Sequence, residues 1–177
     1  MIKNVLTTIA VTLFCFSNYG QEESTNNKTG LGFGLTQHQN DFGIGVNMVS
    51  PYFGKHKLAL RLRGNLMWNQ HPTNNNRTTW TPYSNASLGL VSGGEISEHI
   101  RLYGEGGINT LFPSSKFSLD SFLIGGYGLF GFEFKISDRN NYFIELGGVS
   151  SGSAQKISRQ PIYANGFLIN VGYRFKL

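Results

Sequence analysis

The stretch Phe167-Leu168-Ile169-Asn170-Val171-Gly172-Tyr173-Arg174-Phe175-Lys176-Leu177 alternates with a period of two. Phe167, Ile169, Val171, Tyr173, Phe175 and Leu177 form one row; Asn170, Gly172, Arg174 and Lys176 fall in the other. A strand turns successive side chains to opposite faces, so this segment has one apolar face and one polar face. A helix of the same composition would scatter both rows around its circumference.

Working back along the chain, the same period recurs. A first hairpin carries Leu31, Phe33, Leu35, Phe42, Ile44, Val46 and Met48 against Gly32, Gly34, Thr36, Gly43, Gly45 and Asn47. A third run sets Leu58, Leu60, Leu62, Leu66 and Trp68 against Ala59, Arg61, Arg63, Asn65 and Met67. The fourth is weaker, with Ala86, Leu88 and Leu90 against Ser87 and Gly89. The fifth alternates Ile100, Leu102 and Ile108 with Arg101, Tyr103, Glu105 and Asn109. The sixth sets Phe122, Ile124, Phe130, Phe132, Phe134 and Ile136 against Gly125, Tyr127, Gly131, Glu133 and Lys135. In the seventh, Tyr142, Ile144 and Leu146 oppose Glu145 and Gly147. With the last stretch these make eight runs, most of them about 9–12 residues long, the length of a tilted transmembrane strand.

The connections alternate in kind. Residues 50–56, 93–99 and 137–140 read as compact turns, whereas 37–40, 69–82, 111–120 and 150–161 read as more polar loops. An even strand count entered from the periplasm places the three turns inside and the four loops outside, the asymmetry of outer-membrane barrels.

Composition agrees. The chain has 177 residues, room for one domain, and 23 glycines, nearly twice the usual share of roughly 7%. There are only five prolines and no three-residue glycine period, which excludes collagen. Aromatics at 14% and charges at 14% argue against disorder, and one cysteine excludes a disulfide scaffold.

Residues 1–20 read as a secretory signal peptide, with Lys3 as the basic n-region and Val5 to Phe16 as the apolar core. That apolar run is too short to span a bilayer as a helix. A retained anchor, or a lipoprotein processed at Cys15, are the competing readings; Thr12-Leu13-Phe14 lacks the small residues lipoprotein processing prefers. Cleavage removes Cys15 and Lys3, lowering the formal charge of +5 by one. Residues 21–29 read as a flexible polar leader and 30–177 as the barrel.

With these features together, the chain resembles the small outer-membrane β-barrel proteins of the OmpA/OmpX-like type, numerous in Bacteroidetes. The resemblance rests on the signal peptide, the eight runs, the stretch Arg101-Leu102-Tyr103-Gly104-Glu105-Gly106-Gly107 and the aromatic end Gly172-Tyr173-Arg174-Phe175-Lys176-Leu177. It covers residues 30–177 and implies an all-β, eight-stranded antiparallel transmembrane up-and-down barrel, exported to the bacterial outer membrane. It also implies that Tyr173, Phe175 and Leu177 form the C-terminal signal read by the outer-membrane assembly machinery, with Leu177 where phenylalanine is usual. A soluble lipocalin-like barrel would alternate equally well with its apolar row inward. The membrane is favoured because the other row is glycine-rich and lysine-poor. Rings also gather at strand ends: Trp68, Trp80 and Tyr83 on the loop side, Tyr142, Tyr173 and Phe175 on the turn side.

An eight-stranded barrel has an interior that side chains nearly fill. The inward row carries Arg61, Arg63, Arg101, Glu105, Glu133, Glu145 and Arg174, with Lys135 and Lys176. Isolated buried charges are costly, so these are expected to form an ion-pair network that closes the lumen. The function expected is therefore structural or surface-interacting, with a conduit for small or apolar solutes as the alternative.

Catalytic patterns are weak, and no cofactor or metal is expected. Gly126-Tyr127-Gly128-Leu129-Phe130-Gly131 fits G-x-G-x-x-G but continues as a strand, whereas dinucleotide binding needs a helix there. His38, His56, His71 and His99 fall in or beside connections and none has a metal-ligand partner at suitable spacing. Lipid A deacylases and palmitoyltransferases also use small barrels. No histidine here has serine two residues on, and His38, Asp41 and His71 imitate the palmitoyltransferase set only loosely. Lys116, Arg77, Lys156 and Arg159 lie in loops, suited to lipopolysaccharide head groups rather than nucleic acid. The loop 69–82, with Asn74-Asn75-Asn76-Arg77-Thr78-Thr79-Trp80, has a composition suited to a protein partner.

Overall fold

The computed structural model describes residues 28–54, 57–72, 77–118, 120–151 and 165–177. The segment read as a signal peptide and most of that read as a leader lie outside the described residues, as do His56, Asn74 to Asn76, Lys156 and Arg159. Eight strands follow in chain order: β1 (Gly30–His38), β2 (Asp41–Val49), β3 (Leu58–Pro72), β4 (Thr78–Ser97), β5 (Ile100–Phe112), β6 (Leu123–Lys135), β7 (Asn140–Ser150) and β8 (Gly166–Lys176). No helix occurs among the described residues. Each strand pairs antiparallel with the next, and β1 pairs with β8 from Gly30↔Lys176 to His38↔Leu168, closing the barrel without a free edge.

The protein is thus an eight-stranded, all-antiparallel, up-and-down barrel of the transmembrane type. Its apolar row faces out: Phe33, Leu35, Ile44, Val46, Leu60, Leu66, Leu88, Leu90, Ile108, Ile124, Phe130 and Val171 are all exposed on the outer wall. Its polar row faces in: Arg61, Glu105, Glu133, Asn141, Glu145 and Arg174 are buried. That inversion of the usual globular order suits a hydrocarbon surround, where apolar side chains face lipid and polar ones hide. The lipocalin alternative requires the opposite arrangement.

Rings mark both borders of the apolar belt. At the loop end Phe42 stacks on Trp68 at 5.6 Å and meets Trp80 edge-on at 5.0 Å. At the turn end Tyr142, Tyr173 and Phe175 pack at 5.2 and 4.7 Å between centroids, with Phe33 beside them. Tyr83 departs from the expected girdle: it points into the lumen and is 4% exposed. The phase of β4 dictates this, because Thr81, Tyr83, Asn85 and Ser87 share one row and register opposite the inward Asn69, Met67, Asn65 and Arg63.

Strand lengths are the main correction to the sequence reading. The weak fourth run is part of the longest strand, 20 residues, and β3 is 15. A membrane crossing needs about 9–11, so the β3–β4 hairpin extends past the ring of Phe42, Trp68 and Trp80. The connection expected over residues 69–82 shortens to 73–77, and that expected over 37–40 shortens to Gln39-Asn40. Gln39 takes a left-handed φ of 53° in this tight turn. Its amide donates to Phe167 O (2.7 Å) and its side-chain Oε1 accepts from Phe167 N (3.2 Å), tying the first hairpin to β8. The turn expected over 93–99 is only Glu98-His99, reached through a bulge between Glu95 and Ser97.

Candidate functional site

The lumen holds the only dense assembly of buried charge among the described residues. It is built because β3, β5, β6, β7 and β8 each place a charge on the inward row at nearly one level of the barrel. Arg61 Nη1 donates to Glu105 Oε2 (2.5 Å) and Glu145 Oε1 (2.6 Å). Arg63 donates through Nη1 to Glu145 Oε2 (2.7 Å) and through Nη2 to Glu105 Oε2 (3.3 Å). Two arginines on one strand therefore straddle two carboxylates from two others, in a four-member ring of charge. Arg174 joins more loosely, with Nη1 at 3.3 Å from Glu133 and Nη2 at 3.5 Å from Glu145.

Neutral donors complete the coordination. Tyr103 donates to Glu145 Oε1 (2.6 Å) and Tyr127 to Glu105 Oε1 (2.6 Å). Asn170 donates to Glu145 Oε2 (2.8 Å) and Asn141 to Glu133 Oε1 (2.5 Å). Arg61 lies over the Tyr103 ring at 4.9 Å, and Arg174 over Phe143 at 4.7 Å. With several charge-assisted bonds per carboxylate, the desolvation cost of burial is offset.

Of the charges assigned to the lumen from sequence, Arg61, Arg63, Glu105, Glu133, Glu145 and Arg174 are brought together. Arg101 is buried but set apart, stacked over Tyr52 at 4.2 Å. Lys135 pairs with Glu95 at the turn mouth instead. The tyrosines and asparagines of the network were visible in the sequence only as members of the inward row; nothing local told which carboxylate each would reach.

Above this tier, toward the loops, lies a second polar group. Asp41 Oδ1 accepts from Asn69 (2.8 Å) and its Oδ2 from the Tyr83 hydroxyl (2.7 Å). His71 Nε2 is 2.8 Å from Thr81 Oγ1. His38, Asp41 and His71 were expected in loops. All three instead occupy strand ends and point inward, 8% exposed or less, because the strands run further than the apolar row suggested. Phe117 of the β5–β6 connection folds over this tier, packing against His71 at 5.7 Å and Tyr83 at 6.0 Å. A recess between the tiers, beside His38, Arg63 and Tyr127, measures about 10 Å³.

No metal-binding group of three or more His, Cys, Asp or Glu occurs among the described residues. The C-terminal Tyr173, Phe175 and Leu177 sit on the outer wall, Leu177 66% exposed and its amide bonded to Thr29 O at 2.9 Å.

No protein-family model and no curated protein matches the chain in sequence. Solved structures do match in shape. The N-terminal β-barrel domain of Pseudomonas aeruginosa OprF superposes with a TM-score of 0.61 at 12% identity, over 86% of this chain and 98% of that one. The Yersinia pestis outer-membrane protein Ail, in a phospholipid bilayer nanodisc, gives 0.52 at 13% identity over 84% and 99%. A crystal structure of Ail, the attachment invasion locus protein, gives 0.50 at 9% identity over 86% and 99%. At such identities the likeness concerns the fold, and the fold is that of the small outer-membrane barrels.

Proposed function

We propose that this protein is an integral outer-membrane barrel whose lumen is closed by its charge network, and which acts by reinforcing the envelope or by presenting its loop-end surface to a partner. One observation carries this reading: a predominantly apolar outer wall surrounds a lumen filled by three arginines and three glutamates in mutual contact. A solute path would have to part Arg61 from both Glu105 and Glu145. The recess beside His38, Arg63 and Tyr127, about 10 Å³, has room for about one water. Export by the N-terminal signal, insertion among outer-membrane lipid and lipopolysaccharide, and recognition of the Tyr173-Phe175-Leu177 end by assembly machinery all follow from the same reading. The OmpA/OmpX-like resemblance supports it. The β3–β4 hairpin, projecting beyond the aromatic ring with Arg77 exposed near its tip, is the surface offered to a protein partner.

Planar-bilayer recording tests the closed lumen. The expected trace is silent, and a stable open conductance of porin size overturns the reading. Membrane fractionation with a heat-modifiability gel tests the location. Recovery in the soluble periplasmic fraction, with no shift on heating, would refute it.

A further inference from the structure

The lumen network is balanced in charge, but a recess at the turn mouth beneath it is lined by cations outside any ion pair. Arg61, Arg63 and Arg174 are matched by Glu105, Glu145 and Glu133, and Lys135 by Glu95. Three further cations, Arg101, Lys176 and Lys28, line one recess at this mouth together with Tyr52, Glu133 and Arg174. None of the three has a carboxylate at ion-pair distance among the described residues.

Arg101 is the informative member. It is 7% exposed, and its guanidinium lies 4.2 Å from the centre of the Tyr52 ring. Its register partner on β6 is Glu133, which is already engaged by Arg174 (3.3 Å) and by Asn141 (2.5 Å). Stacking on an aromatic face satisfies the plane of a guanidinium and leaves its N–H edge for an acceptor lying in that plane. A buried cation with no counter-ion is costly, and the cost falls if an anion completes the site. Lys176, next along β8 from Phe175, and Lys28, just before β1, bring two ammonium groups to the same recess. Three unmatched cations, one of them a planar fork, suit a tetrahedral dianion better than a lone carboxylate.

We propose that the turn mouth is an oxyanion site that takes a phosphate group against the edge of Arg101 and the ammonium of Lys176. The phosphate can be free or belong to a phospholipid head group, and the chemistry is shared.

The test uses the purified full barrel in lauryldimethylamine oxide, a detergent without phosphate. Calorimetric titration with inorganic phosphate is expected to show one saturable site. Arg101→Gln should weaken it about tenfold or more, since hydrogen bonds to charged groups contribute about 1.5–3 kcal/mol. Lys176→Gln, at a half-buried position outside the network, should weaken it less. Asp120→Asn, exposed at the opposite end, should leave it unchanged. In the second arm, native mass spectrometry with phosphatidylglycerol should show one lipid retained by the parent protein and lost from Arg101→Gln if the head group is the source. Retention of lipid at concentrations where free phosphate does not bind assigns the lipid, and the reverse assigns the free ion. A heat-modifiability gel confirms that each variant is folded. The proposal is overturned if the parent binds neither probe saturably. It is equally overturned if folded Arg101→Gln and Lys176→Gln both bind as the parent does. The phosphate arm does not depend on whether the lumen conducts, so its failure is distinguishable from failure of the closed-lumen reading.

Discussion

Glu145 accepts from Arg61, Arg63, Tyr103 and Asn170 and lies within ion-pair distance of Arg174. Removing it strands two arginines whose only other carboxylate is Glu105. Breaking a buried pair this way costs about 3–5 kcal/mol. Glu145→Ala should therefore lower the urea midpoint for unfolding from lipid vesicles by a matching amount, with Glu145→Gln losing less because the amide oxygen still accepts. Glycine shows two opposite uses at this scale. A Cβ on Gly172 would meet Phe143 Cζ at 2.6 Å and Gly34 Cα at 2.8 Å, so Gly172→Ala should destabilise by about 1–3 kcal/mol. A Cβ on Gly128 faces outward and meets nothing nearer than Glu105 O at 4.0 Å. Gly128→Ala should stabilise by about 0.5–1 kcal/mol through lost unfolded-state freedom, read in the same denaturation series.

At the scale of elements, the apolar row revealed the membrane-crossing part of each strand and little beyond it. The fourth run looked weak because its outer row includes Pro82, Ser84, Ala86, Ser92 and Gly94, which do not announce a lipid face. Pairing with β3 and β5 nevertheless extends β4 to 20 residues, with one bulge near its end, and Pro82 is tolerated opposite Trp68. The β5–β6 connection is anchored rather than loose, since Phe117 packs on Tyr83 and His71 over the upper tier. Phe117→Ala should free this segment. Limited trypsin digestion is then expected to cut after Lys116 severalfold faster, while the heat-modifiable band of the barrel remains.

For the whole molecule, the balance between wall and lumen explains the low charge content. Most of the few charges are spent inside or at the mouths, and the wall is left to apolar side chains and glycine. If the outward Tyr173, Phe175 and Leu177 serve assembly as proposed, Phe175→Ser should reduce the folded, heat-modifiable fraction in the membrane several-fold. Refolding of the purified variant into detergent should change far less. A parallel loss in both settings would instead assign Phe175 to the packing of the turn-end rings, where it meets Tyr173 at 4.7 Å.

Several properties were written in the chain itself: eight strands, their inward and outward rows, and the seven charged residues turned to the interior. Period two is a local signal, carried by neighbours along one strand, and it survives without knowledge of any partner. Closure of β1 on β8, the extra length of β3 and β4, and the inward turn of Tyr83 came only with the tertiary structure. So did the sorting of charge into a matched set around Glu145 and an unmatched set around Arg101. Those outcomes depend on which residues meet across a barrel from positions 44 to 146 apart in sequence, and on register summed over eight strands. Residue type made Arg61 and Arg101 look alike; only the strand opposite decided that one would find two carboxylates and the other a tyrosine ring.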